Sequence, residues 1–144
     1  MISSKFSVAV HILSLIDVHD GKITSERIAG SVNTNAVVIR RIMSLLGKAG
    51  IIESRPGVTG IKLVRPLTEI TLYDVYRAVE LPENDILFTV HQNTNIKCMV
   101  GRHIQSAIMP PLLDAQRELE QSLAKTSVAE VTNTIVSQDD DQQD

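Results

Sequence analysis

A chain of 144 residues with 43% hydrophobic residues accommodates one small core plus an extension, so two independent domains are not expected. Its net charge of -3 excludes a uniformly basic polyanion binder, yet residues 1–80 carry ten Lys/Arg against seven acids while residues 81–144 carry four against ten. That split is what an acidic appendage on a basic nucleic-acid module would give.

Lys5 followed by the uncharged run Phe6 to Ile16 imitates a signal peptide. However, Asp17, His19 and Asp20 come next without a small-x-small cleavage site, and eleven residues are too few to span a bilayer. The single cysteine, Cys98, leaves no intrachain disulfide. These points give the expectation of a cytoplasmic protein with no membrane partner.

Phe6, Ala9, Val10, Ile12, Leu13 and Ile16 recur at three- and four-residue spacing and predict a first helix over residues 3–18, closed by Asp20-Gly21. His11 lies in this apolar run and reads as a packed core side chain. Thr24 or Ser25 caps a short second helix through Val32, because a hydroxyl accepts an orphan amide hydrogen of the first turn. Asn33-Thr34-Asn35 supplies a turn and the cap of a third helix over 36–49. With side chains about 100° apart, Val38, Ile42, Leu45, Leu46 and Ala49 form its core stripe, and Val37, Arg40, Arg41, Ser44 and Lys48 another face. Gly50 suits the left-handed position that ends a helix.

Residues 51–55 and 61–65 are short, β-branched and separated by Pro56-Gly-Val-Thr-Gly60, which predicts a hairpin ended by Pro66. Thr71, with Asp74 three residues on, opens a fourth helix whose buried side is Leu72, Val75 and Val79. Residues 81–99 read as a loop-rich connection. A long helix follows from about Val100 to Lys125, and Pro110-Pro111 should kink it or start it afresh. Leu112, Gln116, Leu119 and Leu123 repeat at a/d spacing, a narrow seam suited to a partner helix and hence to a dimer interface. Ser127 and Glu130 cap a last short helix, and residues 137–144 read as a disordered acidic tail.

The expected architecture is therefore mainly α with a small β-hairpin. A winged helix-turn-helix domain spans 1–80, a connecting or sensor loop 81–99, dimerisation helices 100–136 and the tail 137–144.

A helix fits the DNA major groove, Arg offers a planar donor fork to guanine or phosphate, and a glycine-containing loop approaches the sugar-phosphate backbone closely. Thr34, Asn35, Arg40, Arg41 and Ser44 are thus the base or phosphate candidates on the third helix, and Arg55, Thr59 and Lys62 those of the wing. Lys5 and Ser25 can reach phosphate from helix N-termini. The bland alternative is that Arg40 and Arg41 solvate a surface helix. A winged helix that serves only as a protein-protein module is the rival function. An enzyme is not expected, since no nucleophile motif, phosphate-binding glycine loop or carboxylate pair stands out.

Leu46-Gly-Lys-Ala-Gly-Ile51, the Gly57-Val-Thr-Gly60 hairpin, Ile70-Thr-Leu-Tyr-Asp-Val-Tyr-Arg-Ala-Val-Glu80 and Leu123-Ala-Lys-Thr-Ser-Val-Ala-Glu130 resemble, in order, blocks of the Rrf-two family of winged-helix transcription regulators, over about residues 1–136. The resemblance implies a homodimer on a palindromic double-stranded DNA operator, with long C-terminal helices crossing at the interface and wings gripping minor grooves. It implies transcriptional regulation, repression above all. Two recognition helices should then lie roughly 34–36 Å apart.

Two departures from the family pattern matter. Many members carry Glu-Gln where this chain has Arg40-Arg41, so a guanine-containing half-site is expected instead. Cluster-bearing members have three cysteines before the long helix, whereas this chain has only Cys98, and cluster ligation normally takes several thiolates. No cofactor is therefore expected, and His91, Cys98 and His103 match no strong metal pattern. Cys98 is either a redox switch whose thiolate Lys97, Arg102 and His103 favour, or a small partly buried hydrophobe. An oxidant or a small molecule held beside the 81–99 loop is the candidate effector.

Overall fold

The computed structural model describes residues 3–54, 60–80 and 86–143. Helix α1 (Lys5–Val18) lies at the centre, packed against every other helix of the body. Ala9, Val10, Ile12, Leu13 and Ile16 are buried on several of its sides, which suits a helix surrounded by others. His11 departs from the expected core position. It is only half-buried, and its Nε2 shares a 2.8 Å hydrogen bond with Ser31 Oγ, because a ring nitrogen sealed in the core would be left unpaired.

After α1 the chain reverses through Asp20 and Gly21, both at positive φ, and the Gly21 amide returns to the Ile16 carbonyl at 2.7 Å. Helix α2 (Ser25–Val32) is capped by Thr24, whose hydroxyl accepts from the Arg27 amide. Helix α3 (Ala36–Lys48) is capped by Asn35, whose side chain accepts from the Val38 amide at 3.0 Å. Its buried side is Ile39, Ile42 and Leu46. Ile39 was absent from the predicted stripe, Val38 and Leu45 are only partly buried at its margin, and Ala49 is exposed. Ile42 and Leu46 keep their expected place, and Ile39 joins them where α3 packs against α1, α2 and α4.

Gly50, at φ 73°, turns the chain into the hairpin as expected. Strands β1 (Ile52–Glu53) and β2 (Lys62–Leu63) pair antiparallel, Ile52 opposite Leu63. A single 3-10 turn, Leu67–Glu69, leads to α4 (Leu72–Val79), which opens with the full reciprocal capping box of Thr71 and Asp74. Arg65 Nη2 lies 3.6 Å from the same Asp74 carboxylate and ties the end of the hairpin to the start of α4.

Helix α5 (Met99–Leu123) runs through Pro110 and Pro111 without interruption. The expected fresh start is overturned: two adjacent prolines remove two backbone bonds, but the turns on either side keep theirs, and the fixed φ of proline is itself helical. Helix α6 (Val128–Gln143) is also longer than expected. Residues 137–143 continue it instead of forming a disordered tail. The Ser127–Glu130 capping box holds its first turn, with hydrogen bonds of 2.6 and 3.2 Å, and elongation from a formed turn adds one bond per residue.

The start of α6 returns to the body. Leu72 donates to the Thr126 carbonyl and Val128 to that of Ile70, Val128 is completely buried, and Ser14 and Thr132 share a buried 2.8 Å hydrogen bond. The globular body is thus not confined to residues 1–80. Residues 127–132 complete it, with α5 as a long excursion between.

Candidate nucleic-acid interface

Thr24, Ser25 and Glu26 at the start of α2, Arg40 and Ser44 on α3, and Ser54 and Gly60 at the hairpin line one surface recess. Three predicted residues, Ser25, Arg40 and Ser44, thus meet around a helix N-terminus, with amide hydrogens, hydroxyls and a guanidinium available to an anionic backbone or a base edge. Arg41 and Lys48 are exposed on the same helix, as are Val37 and Asn35. Thr34 is half-buried in the α2–α3 turn, where its amide bonds the Ala29 carbonyl. Asn35 uses its side-chain oxygen as the α3 cap, so its amide nitrogen is the part left for a ligand.

Lys62 is exposed but lines a second recess, with Asp17, Asp20, Lys22 and Glu53, and not the one that Arg40 lines. Arg55 and Thr59 lie outside the described residues. Lys5 begins α1, where Ser3 Oγ donates to Glu80 at the end of α4, and it is not one of the described residues that line the α2–α3 recess.

Glu26 escaped the sequence reading. Its Oε1 lies 3.8 Å from Arg40 Nη1, across fourteen residues of chain, so nothing local marked it. The hairpin is fixed from behind. Ile61 donates to the Gly21 carbonyl at 3.0 Å, and a Cβ on Gly21 would stand 2.4 Å from the Ile61 carbonyl oxygen, so that turn and strand touch through bare backbone.

On α5, Gln116 is buried, accepts from the Leu87 amide at 2.8 Å and donates to Glu120. This overturns its place in the seam offered to a partner: a buried amide must be paired, and its partners lie within the same chain. Leu112, Leu119 and Leu123 are half-exposed, and Ile108, one turn before Leu112, is exposed. On α6 the stripe of Val128 and Thr132 continues past the body as exposed Ile135 and Val136.

Cys98 is the N-cap of α5 and is exposed, which overturns its reading as a partly buried hydrophobe. The amides of Gly101 and Val100 face its sulfur without closing a full cap hydrogen bond, and they hold the thiol below its ordinary range. Backbone, not Lys97, Arg102 or His103, is the cause. A Cβ on Gly101 would stand 2.5 Å from the Asn95 carbonyl oxygen, so the segment before Cys98 lies directly on the first turn of α5. Among the described residues no group of three or more His, Cys, Asp or Glu is placed to hold a metal ion, and no helix is long and apolar enough to cross a membrane.

The chain matches, over residues 2–134, the family model described as Rrf2, iron-dependent transcriptional regulator. It is 50% identical over 135 residues to YwnA of Bacillus subtilis, named as an HTH-type transcriptional regulator, covering 94% of this chain and 99% of that one. A crystal structure described as a DNA-binding protein superimposes with a TM-score of 0.74 at 44% identity, over 89% of this chain and 98% of that one. A transcriptional regulator from Lactobacillus plantarum gives 0.75 at 26% identity, over 95% and 98%.

Proposed function

The chain belongs to the Rrf2 family of transcriptional regulators, and on that premise we propose how this DNA-binding transcription regulator, which is not an enzyme, reads its target. It works as a homodimer on a palindromic operator, most simply as a repressor that occludes a promoter. Each α3 enters a major groove, with Arg40, Arg41, Ser44 and Asn35 toward bases or phosphates. Ser25 at the α2 start meets the backbone, and the hairpin, Lys62 included, follows the adjacent groove.

The observation that carries this assignment is the convergence of the α2 N-terminus, Arg40, Ser44 and the hairpin on one recess. The dimer is supported by the apolar groups left outside the body, Ile108 on α5 and Ile135 and Val136 on α6. Guanine in the half-site follows from the arginine fork.

Despite the family description, no iron-sulfur cluster is part of the proposal. One thiol, Cys98, does not make the donor set that a cluster takes.

Selection from a randomised duplex pool, followed by binding across a salt series, tests the reading. An enriched palindrome, a steep fall of affinity with salt and a loss of about 1–3 kcal/mol in Arg40→Ala are expected. A flat salt response with no enriched sequence would instead favour a protein-interaction module. Sedimentation of the free protein as a monomer at binding concentrations would remove the dimer.

A further inference from the structure

We infer that Glu26 is a positioning residue for sequence reading: it biases Arg40 toward one orientation on the recognition surface, and Arg41 is left to grip phosphate irrespective of sequence. The inference rests on the DNA-reading role of α3 proposed above.

The Glu26 and Arg40 side chains are 73% and 56% exposed, and an ion pair so open to water contributes little to stability. The α2–α3 contact is held instead by buried Ile28, Ile39 and Ile42. Glu26 is therefore not needed to keep the two helices together. It stands next to Ser25 in the first turn of α2, where amide hydrogens would otherwise draw in a phosphate, and a carboxylate there repels any DNA backbone. Its placement weakens every complex equally unless it favours one of them.

The Arg40 contact supplies that difference. Glu26 Oε1 sits 3.8 Å from Arg40 Nη1, an ion-pair distance longer than a hydrogen bond, so the carboxylate biases one edge of the guanidinium toward the recess without fixing it. A planar fork already biased toward one orientation loses less freedom when it forms a bidentate contact with a base edge. Arg41 is adjacent in sequence but about 100° around the helix, and the described residues offer it no ion-pair partner. A long unrestrained side chain suits a phosphate, whose oxygens accept from many directions.

The test uses the full chain, the duplex that the wild-type protein enriches from a randomised pool, and a scrambled duplex of the same composition. Glu26→Gln is expected to raise affinity for the scrambled duplex roughly 2–5-fold and to lower the enriched-to-scrambled ratio about 5–10-fold. Once Arg40 is alanine, Glu26→Gln should no longer change that ratio. Arg41→Ala should weaken both duplexes alike and reduce the salt slope by about one.

An unchanged ratio in Glu26→Gln, or an equal fall when Arg40 is already alanine, overturns the inference while leaving DNA reading intact. A wild-type chain that enriches no duplex overturns both.

Discussion

The Ile61 amide donates to the Gly21 carbonyl at 3.0 Å, and this bond places the hairpin by fastening its second strand to the turn behind α1. Gly21 has φ 76°, and a methyl group on it would stand 2.4 Å from the Ile61 carbonyl oxygen. Gly21→Ala should therefore cost about 2–3 kcal/mol, from left-handed strain plus the forced separation of two backbones. Urea denaturation measures it. A midpoint equal to wild type would mean that turn and strand separate freely.

Asn35, expected from the sequence both to cap α3 and to contact DNA, forms the cap. Asn35→Ala should lose about 1 kcal/mol of stability, and Asn35→Ser should restore most of it. Operator binding separates the two roles. Affinity that recovers along with stability in the serine variant leaves only the cap, whereas a persistent defect assigns the amide nitrogen to DNA.

Tyr76 on α4 is 1% exposed, edge-on to Phe6 of α1, and among the described residues its hydroxyl finds no hydrogen-bond partner. Burial, then the Glu120 and Glu80 carboxylates, push its phenol above the ordinary range, so it stays protonated. Removing an unpaired buried hydroxyl should help: Tyr76→Phe is expected to gain about 1 kcal/mol in thermal unfolding. A loss of that size would reveal a partner for the hydroxyl in solution.

The lowered pKa of Cys98 means that its reactive thiolate is present at lower pH than in an ordinary cysteine. The rate of alkylation against pH should therefore reach half its plateau below the midpoint of a free thiol, and Cys98→Ser should abolish labelling. Operator binding before and after a mild oxidant then decides the switch. An oxidant response that survives in Cys98→Ser would assign sensing elsewhere.

What the sequence disclosed was local. Thr24, Asn35, the Thr71–Asp74 box and the Ser127–Glu130 box each close within three residues, so the helix starts were legible, as was the left-handed Gly50. The exposed, charged face of α3 was legible too, because alternation of charge and apolar groups needs no partner to be seen. Long-range choices were not. Ile39 depends on which neighbours α3 meets, Gln116 pairs with Leu87 across 29 residues, and Glu26 reaches Arg40 between two helices. The prolines of α5 do not start a new helix for a related reason: their local cost is real, but a 25-residue helix with turns on both sides continues through them.

The buried Ser14–Thr132 bond and the fully enclosed Val128 set an order of events during synthesis. Helix α3 and most of the hydrophobic residues around it leave the ribosome early, but the groups that seal them come after the long helix. A nascent chain halted before residue 127 exposes the apolar side of α1 that Val128 and Thr132 will cover. Translation must therefore pass through α5 before the globular body is closed, and a truncated product is expected to go to proteolysis or aggregation before it can act as a half-made competitor of the full chain.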